Sequence, residues 1–199
     1  METIGTPAPS FGDTMRALQD TGLVLCPDRV TIRIPNARDN LWRAINELTD
    51  RPAVWLPEYE EVARWLACND GRGLLCFGNC GRGKSLLCCR ALPMLIRHFL
   101  RKVVTVTDAQ TLNARLDEMK RYHLLCVDDI GTESVAVKYG ERRLAFAELA
   151  DEAEKHGKLL LITTNLNREQ MTERYGERTL DRLRQITKPV CFKGPSLRG

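Results

Sequence analysis

Residues 78–85 read Gly78-Asn79-Cys80-Gly81-Arg82-Gly83-Lys84-Ser85 and follow a short apolar run from Leu74 to Phe77. The run reads as a buried strand. The spacing Gly-x-x-x-x-Gly-Lys-Ser is that of a phosphate-binding loop set between a strand and a helix. Glycines let successive backbone N–H groups turn inward toward one anion. The helix beginning near Lys84 adds the positive end of its dipole. On this reading a nucleotide lies along Gly78 to Leu86, Lys84 reaches the β- and γ-phosphates of ATP, and the Ser85 hydroxyl ligates Mg²⁺. A glycine-rich loop matching by chance is the bland alternative, and the flanking strand and helix patterns argue against it.

A loop of this kind needs a parallel sheet to carry it, and the chain after Gly73 alternates strand and helix accordingly. The helix after the loop is expected to run to about Leu100, kinked at Pro93, which lacks the N–H. Val103–Val106 is expected as a second strand, Ala109 to about Arg121 as a helix capped by Thr107-Asp108, and Leu124–Val127 as a third strand. A polar connection, 131–139, leads to a helix with Ala145, Phe146, Leu149, Ala150 and Ala153 on one face, stopped by Gly157. Leu159–Thr163 is expected as a fourth strand, Arg168–Tyr175 and Glu177–Gln185 as short helices, and Pro189–Phe192 as a fifth strand.

The front of the chain differs. Residues 1–27 carry prolines and glycines, with one short helix expected around Asp13–Gln19. Val30, Ile32 and Ile34 alternate with polar residues as in a strand. Leu41–Leu48 and Tyr59–Leu66 show helical spacing. We therefore divide the chain into an appendage, residues 1–56, and a nucleotide-binding domain, residues 57–199. Trp42, Trp55 and Trp65 either pack the front segment onto the core or anchor a partner.

A chain of 199 residues with 43% apolar content supports one core. The net charge of +4 permits an acidic partner without demanding one. The eight cysteines show no paired zinc spacing and read as small buried hydrophobes of a reducing compartment. Cys80, in the loop, is the one open to oxidation. Neither a signal pattern nor a membrane-length apolar run is found, so a cytoplasmic protein is expected.

Two further stretches carry chemistry. Leu124–Val127 ends in Asp128-Asp129, and a buried parallel strand delivers carboxylates from its carboxyl end to the phosphate site. Asp128 would hold Mg²⁺ and Asp129 would orient or deprotonate the attacking water. The fourth strand ends in Thr163-Thr164-Asn165. In a sheet of order 5-1-4-3-2 it lies between the loop strand and the acidic strand, so the Asn165 amide could meet the γ-phosphate or the attacking water. In 175–184, Leu180 and Leu183 face inward while Arg178 and Arg182 share the exposed side.

GNCGRGKS, LLCVDDIGTE, LLLITTNLN and YGERTLDRLR together resemble the AAA+ ATPases. Within these they resemble the bacterial helicase-loader branch of the DnaC/DnaI type, with the related IstB-type transposition ATP-binding proteins. The resemblance covers roughly residues 57–199. It implies an α/β P-loop NTPase fold of the ASCE class, with a five-stranded parallel sheet of order 5-1-4-3-2 flanked by helices. It also implies that Asn165 is the sensor-1 residue and that Arg182, with Arg178 as second choice, is an arginine finger reaching a neighbouring subunit.

Three departures shape the expectation. Asp129 stands where many AAA+ proteins have Glu, so its carboxylate reaches less far and hydrolysis is expected to be slow and assembly-dependent. Few residues follow the fifth strand, so a helical lid is expected to be absent or minimal. The second and third strands are close in sequence, where initiators and loaders often carry an extra helical insertion that contacts DNA. The leading expectation is an ATP- and Mg²⁺-dependent loader delivering a replicative helicase to DNA, single-stranded by preference, and self-associating through the finger. The alternative is an IstB-like ATPase that binds DNA and recruits a transposase. A small-molecule kinase and a weakly catalytic assembly module are further readings.

Overall fold

The computed structural model of the chain describes residues 10–22, 27–50, 52–133, 136–138 and 141–197. Helix α1 (Phe11–Asp20) is capped by Ser10, whose hydroxyl accepts the Asp13 N–H, and it buries none of its residues. Residues 30–34 alternate in burial as a strand would, with Ile32 and Ile34 buried, but they join no sheet. The buried Asn69 takes the place of a partner strand. Its Oδ1 accepts from Ile32 N at 2.8 Å, its Nδ2 donates to Val30 O at 3.0 Å, and Ile34 N bonds to Leu66 O. Alternation reports which side chains are buried, and a side-chain amide can satisfy such a backbone as well as a ladder does.

Helices α2 (Ala37–Glu47) and α3 (Pro57–Ala67) follow, α3 starting at a proline whose missing N–H has no partner to lose there. Trp65 is buried and donates to Arg72 O and Gly73 O at 2.9 and 3.0 Å, which pins α3 to the start of β1 (Gly73–Gly78). Trp42, Trp55 and Tyr59 pack edge to face in series, with ring centroids 5.9 and 5.8 Å apart. Ile32, Leu41, Ile45, Val62 and Leu66 share one buried cluster with Leu74, Cys76, Leu161 and Phe192 of the sheet.

After the loop, α4 (Lys84–Leu86) runs into a π-helical turn, Leu87–Ala91, and then α5 (Leu92–Leu100). The π turn directly precedes Pro93 and carries a Leu92 N–H to Leu87 O bond. Long helices bend at π turns as well as at prolines. The remaining elements are β2 (Thr105–Asp108), α6 (Ala109–Ala114), α7 (Leu116–Met119), β3 (Leu124–Ile130), the hairpin β4 (Ala136–Lys138) and β5 (Glu141–Arg143), α8 (Ala145–His156), β6 (Leu159–Thr164), α9 (Arg168–Tyr175), α10 (Glu177–Ile186) and β7 (Thr187–Phe192).

The main sheet is parallel, ordered β2-β3-β6-β1-β7. Counted along these five strands, that is the expected order 5-1-4-3-2. On β6, Leu159 and Leu161 face the cluster under α2, α3 and α5, while Leu160 and Ile162 face the cluster under α6, α8 and α10. A helical layer on each face explains the unbroken apolar run of this strand.

Several readings differ from expectation, and the third strand also runs on to Ile130 while the fifth begins at Thr187. The second strand begins at Thr105 rather than Val103, because β2 is an edge where Val103 (66% exposed) and Val106 (44%) face outward and an apolar run no longer marks burial. The helix expected over 109–121 breaks at Arg115, whose φ of −125° lies outside the helical range. The polar connection contains the β4–β5 hairpin. Cys76, Cys88 and Cys126 are fully buried, Cys80 is exposed, and none of the seven described cysteines is in a disulfide. No described helix is long and apolar enough to cross a membrane.

Candidate nucleotide-binding site

The loop leaves β1 through Gly78 (φ +113°), Gly81 (φ +75°) and Gly83 (φ +85°), backbone states that side chains resist. A methyl group at Gly78 would stand 2.4 Å from Phe192 O, and one at Gly83 would stand 2.7 Å from the Tyr59 hydroxyl. Lys84 is 5% exposed. Its ammonium donates to Gly78 O (2.8 Å), Asn79 O (2.7 Å) and Asn165 Oδ1 (2.8 Å), which uses all three of its protons. Burial holds the Lys84 pKa below the usual lysine value, while Cys80, Asp129 and Asp128 pull it back up.

The carboxylate pair sits at an irregularity. Pairing of β3 with β6 breaks after Val127 and resumes at Ile130 opposite Thr164. Within the break, Asp129 takes φ +51°, in the left-handed region. Thr163, buried in β6, bridges the two acids. Its Oγ1 accepts Asp129 N at 2.8 Å and donates to Asp128 Oδ1 at 2.5 Å. The next turn is tied down by Glu133, whose Oε2 accepts Gly131 N at 2.7 Å and whose other oxygen meets Arg174 and the Tyr175 hydroxyl. Burial, then the hydrogen bond to Glu133 and then its charge, push the Tyr175 hydroxyl well above the ordinary tyrosine value.

A cleft of about 570 Å³ opens over the loop, a volume in the range of nucleotide-sized ligands. Its polar side is Cys80–Leu86 with Asp129 and Asn165. Its apolar side is Ile45, Leu48, Pro52, Ala53 and Val54 from the front third, with Leu197. Of the residues singled out in sequence, Cys80–Leu86, Asp129 and Asn165 come together around one space, and Asp128, bonded to Thr163, is not among those that line it. The loop amides, the Lys84 cation and the Ser85 hydroxyl form a donor set that fits a polyphosphate, and Ser85 with Asp128 offers the oxygens Mg²⁺ prefers.

Arg82 and Arg182 are not open cations. Arg82 Nη2 donates to both Glu58 oxygens, at 2.9 and 3.2 Å, and both side chains are 8% exposed. Burial pushes the Glu58 carboxyl up, but its own backbone N–H, Arg82 and Lys193 N outweigh this and hold it below the ordinary glutamate value. Arg182 is held on its own chain by Asp151 (2.5 Å) and Glu154 (2.8 Å) of α8. Arg178 is exposed. Sequence reasoning missed Glu58, Thr163 and Glu133 as parts of the site. A glutamate after Pro57 and a threonine ending an apolar strand carry no local signal of their distant partners.

A parallel sheet of order 5-1-4-3-2, a Lys84-centred loop and acids at the end of the neighbouring strand but one define a P-loop fold with the AAA+ strand arrangement. Among solved structures, the chain is similar to the crystal structure of the DnaC helicase loader, with 18% identity over 81% of this chain and 93% of that one and a TM-score of 0.51. It is likewise similar to the crystal structure of DnaI, with 20% identity over 64% of this chain and 73% of that one and a TM-score of 0.51. Identities at this level establish a shared fold. Comparison with protein-family models and with curated proteins finds no match.

Proposed function

We propose that this chain is an ATP-binding and ATP-hydrolysing helicase loader that acts in DNA replication, delivering a replicative helicase to DNA. The observation that carries the nucleotide part is the convergence of Lys84, Asn165 and Asp129 on one cleft over a glycine-cornered loop. The loader part rests on the GNCGRGKS, LLCVDDIGTE, LLLITTNLN and YGERTLDRLR stretches, together with a fold like that of DnaC and DnaI.

In this reading the amides of Gly78–Leu86 and the Lys84 ammonium bind and orient the phosphates, with Ser85 and Asp128 as the residues that hold Mg²⁺. The metal supplies charge neutralisation on the phosphates. Asp129 polarises the attacking water, and Asn165 positions that water or the γ-phosphate. Arg182 stabilises the charge developing in a neighbouring subunit's site, exchanging Asp151 and Glu154 for phosphate as subunits assemble. Arg178, already exposed, is the second choice. Turnover is slow because the site is complete only in the assembly.

Residues 57–199 form the ATP-binding domain, and residues 1–56 dock the helicase. Phe11 (93% exposed), Met15 (47%) and Leu18 (38%) make an apolar stripe along α1 that nothing in the described chain covers. The protein works in the cytoplasm on single-stranded DNA.

The test is capture of the host's hexameric helicase by the full chain in the presence of ATP. Capture that depends on Lys84 and on the α1 stripe supports the loader. No capture, with tight binding to duplex DNA and to a transposase, moves the assignment to the transposition ATPase.

A further inference from the structure

We propose that Glu58 is a positioning residue for the nucleotide loop. Acting through Arg82, and together with the segment that follows β7, it holds residues 79–83 in their phosphate-receiving shape. This inference rests on the nucleotide-binding reading above and adds to it a frame outside the loop.

One carboxylate ties three segments. Glu58 lies in the first turn of α3, and both its oxygens take Arg82 Nη2 from the loop. Its Oε1 also accepts Lys193 N from the segment after β7, at 2.9 Å. That segment then runs along the loop. Asn79 N donates to Phe192 O at 2.8 Å and Asn79 Nδ2 to Gly194 O at 2.9 Å. Arg82 Nη1 donates to Pro195 O at 3.4 Å, and Leu197 N donates to Gly81 O at 2.9 Å. Contact is close throughout, since a methyl at Gly81 would stand 2.1 Å from Ser196 Oγ.

The loop is therefore gripped by α3 on one side and by residues 192–197 on the other, and Arg82 is the residue that touches both. A glycine-rich loop left to itself samples many backbone states, and each phosphate contact would have to select one. Holding the amides in place beforehand lowers that entropic cost.

Two features favour a positioning role over a general stabilising one. A buried ion pair stabilises little compared with apolar packing in its place, since desolvation offsets its attraction, although removing one partner alone strands the other's charge. Arg82 Nε is also buried with no acceptor, so the pair leaves a donor unsatisfied where a packing role would be better served by apolar side chains. The pair also neutralises Arg82 within the chain, which leaves Lys84 as the loop's cation for the phosphates.

The test measures binding of a fluorescent ATP analogue to the full chain, beside its thermal midpoint. The variants are Glu58→Gln, Arg82→Gln, the double variant and Arg82→Lys. A core variant remote from the loop, Leu149→Ala, serves as the stability control. Each single variant should weaken analogue affinity roughly tenfold or more, and the double variant no further than the worse single one. The KM for ATP should rise while kcat changes little. Leu149→Ala should lower the midpoint and leave affinity unchanged.

Arg82→Lys keeps the buried charge but loses the fork. It should fold and show faster hydrogen exchange across residues 79–83. If the variants lower the midpoint yet bind the analogue within about twofold of the parent, or if loop exchange in Arg82→Lys is unchanged, the positioning role is overturned. If the parent chain itself binds no analogue, the nucleotide reading falls first and takes this inference with it.

Discussion

Lys84 Nζ and Asn165 Oδ1 stand 2.8 Å apart although 81 residues separate them in the chain. The lysine enters from the helix after β1, and the asparagine from the end of β6, which pairs with β1 in parallel. Adjacent parallel strands thus bring their carboxyl ends, and whatever follows them, to one place. Replacing Lys84 with Ala should abolish binding of a fluorescent ATP analogue. Asn165→Ala should retain binding but slow ATP turnover by roughly 10²-fold, as loss of one placed polar group does. Turnover unchanged in Asn165→Ala would remove that residue from the reaction.

Thr163 gives a second prediction. Thr163→Val keeps the shape of the side chain but strands the Asp129 N–H and frees the Asp128 carboxylate. Unfolding in urea should report a loss of about 1 kcal/mol, and ATP turnover should fall with it. Thr163→Ser retains the hydroxyl and should recover most of both. Recovery by valine instead would mean that packing alone matters at this position.

Arg182 is bound to Asp151 and Glu154 within its own chain. If it serves a neighbouring site, Arg182→Ala should spare ATP binding and lower turnover by roughly 10³-fold. Mixing that variant with Lys84→Ala should restore part of the activity, since the lysine variant still offers its Arg182 to an intact loop. Failure at every mixing ratio would exclude action in trans.

Acid should act on the Glu58–Arg82 pair. The folded-state pKa of Glu58 lies below its unfolded value, about 4.3 for an ordinary glutamate. The folded state therefore binds this proton less readily than the unfolded state does. The stabilisation is fully present above that unfolded value and is lost as pH falls through the folded pKa. Thermal midpoints of the parent and of Glu58→Gln should differ at pH 6 and draw together as pH falls through the folded pKa of Glu58. A gap that narrows nowhere between pH 6 and acid unfolding would mean that the glutamate charge contributes nothing.

Much of the fold was legible in the chain because its signals are local. Gly78–Ser85 needs only neighbouring residues to make a loop, and the apolar run Leu159–Ile162 marks a strand. The α3 and α8 stripes declared their buried faces by spacing alone. Where a partner lay far away the signal failed. Val30–Ile34 alternated like a strand because its burial alternates, but Asn69 satisfied its backbone in place of a neighbouring strand. Val103 read as the start of a strand because apolar runs do not record that β2 lies at an edge.

The sequence by itself determined the loop, the acids at the end of β3 and the alternation of strand with helix. Each of these is specified by residues within one turn or one strand of one another. Only the tertiary structure decided that Thr163 bridges Asp128 to Asp129, that Arg182 rests on α8, and that Arg82 turns to Glu58 rather than into open space. Those outcomes depend on which side chains meet across 24 to 35 residues of intervening chain. Such meetings follow from the packing of whole elements, which no spacing within a single stretch encodes.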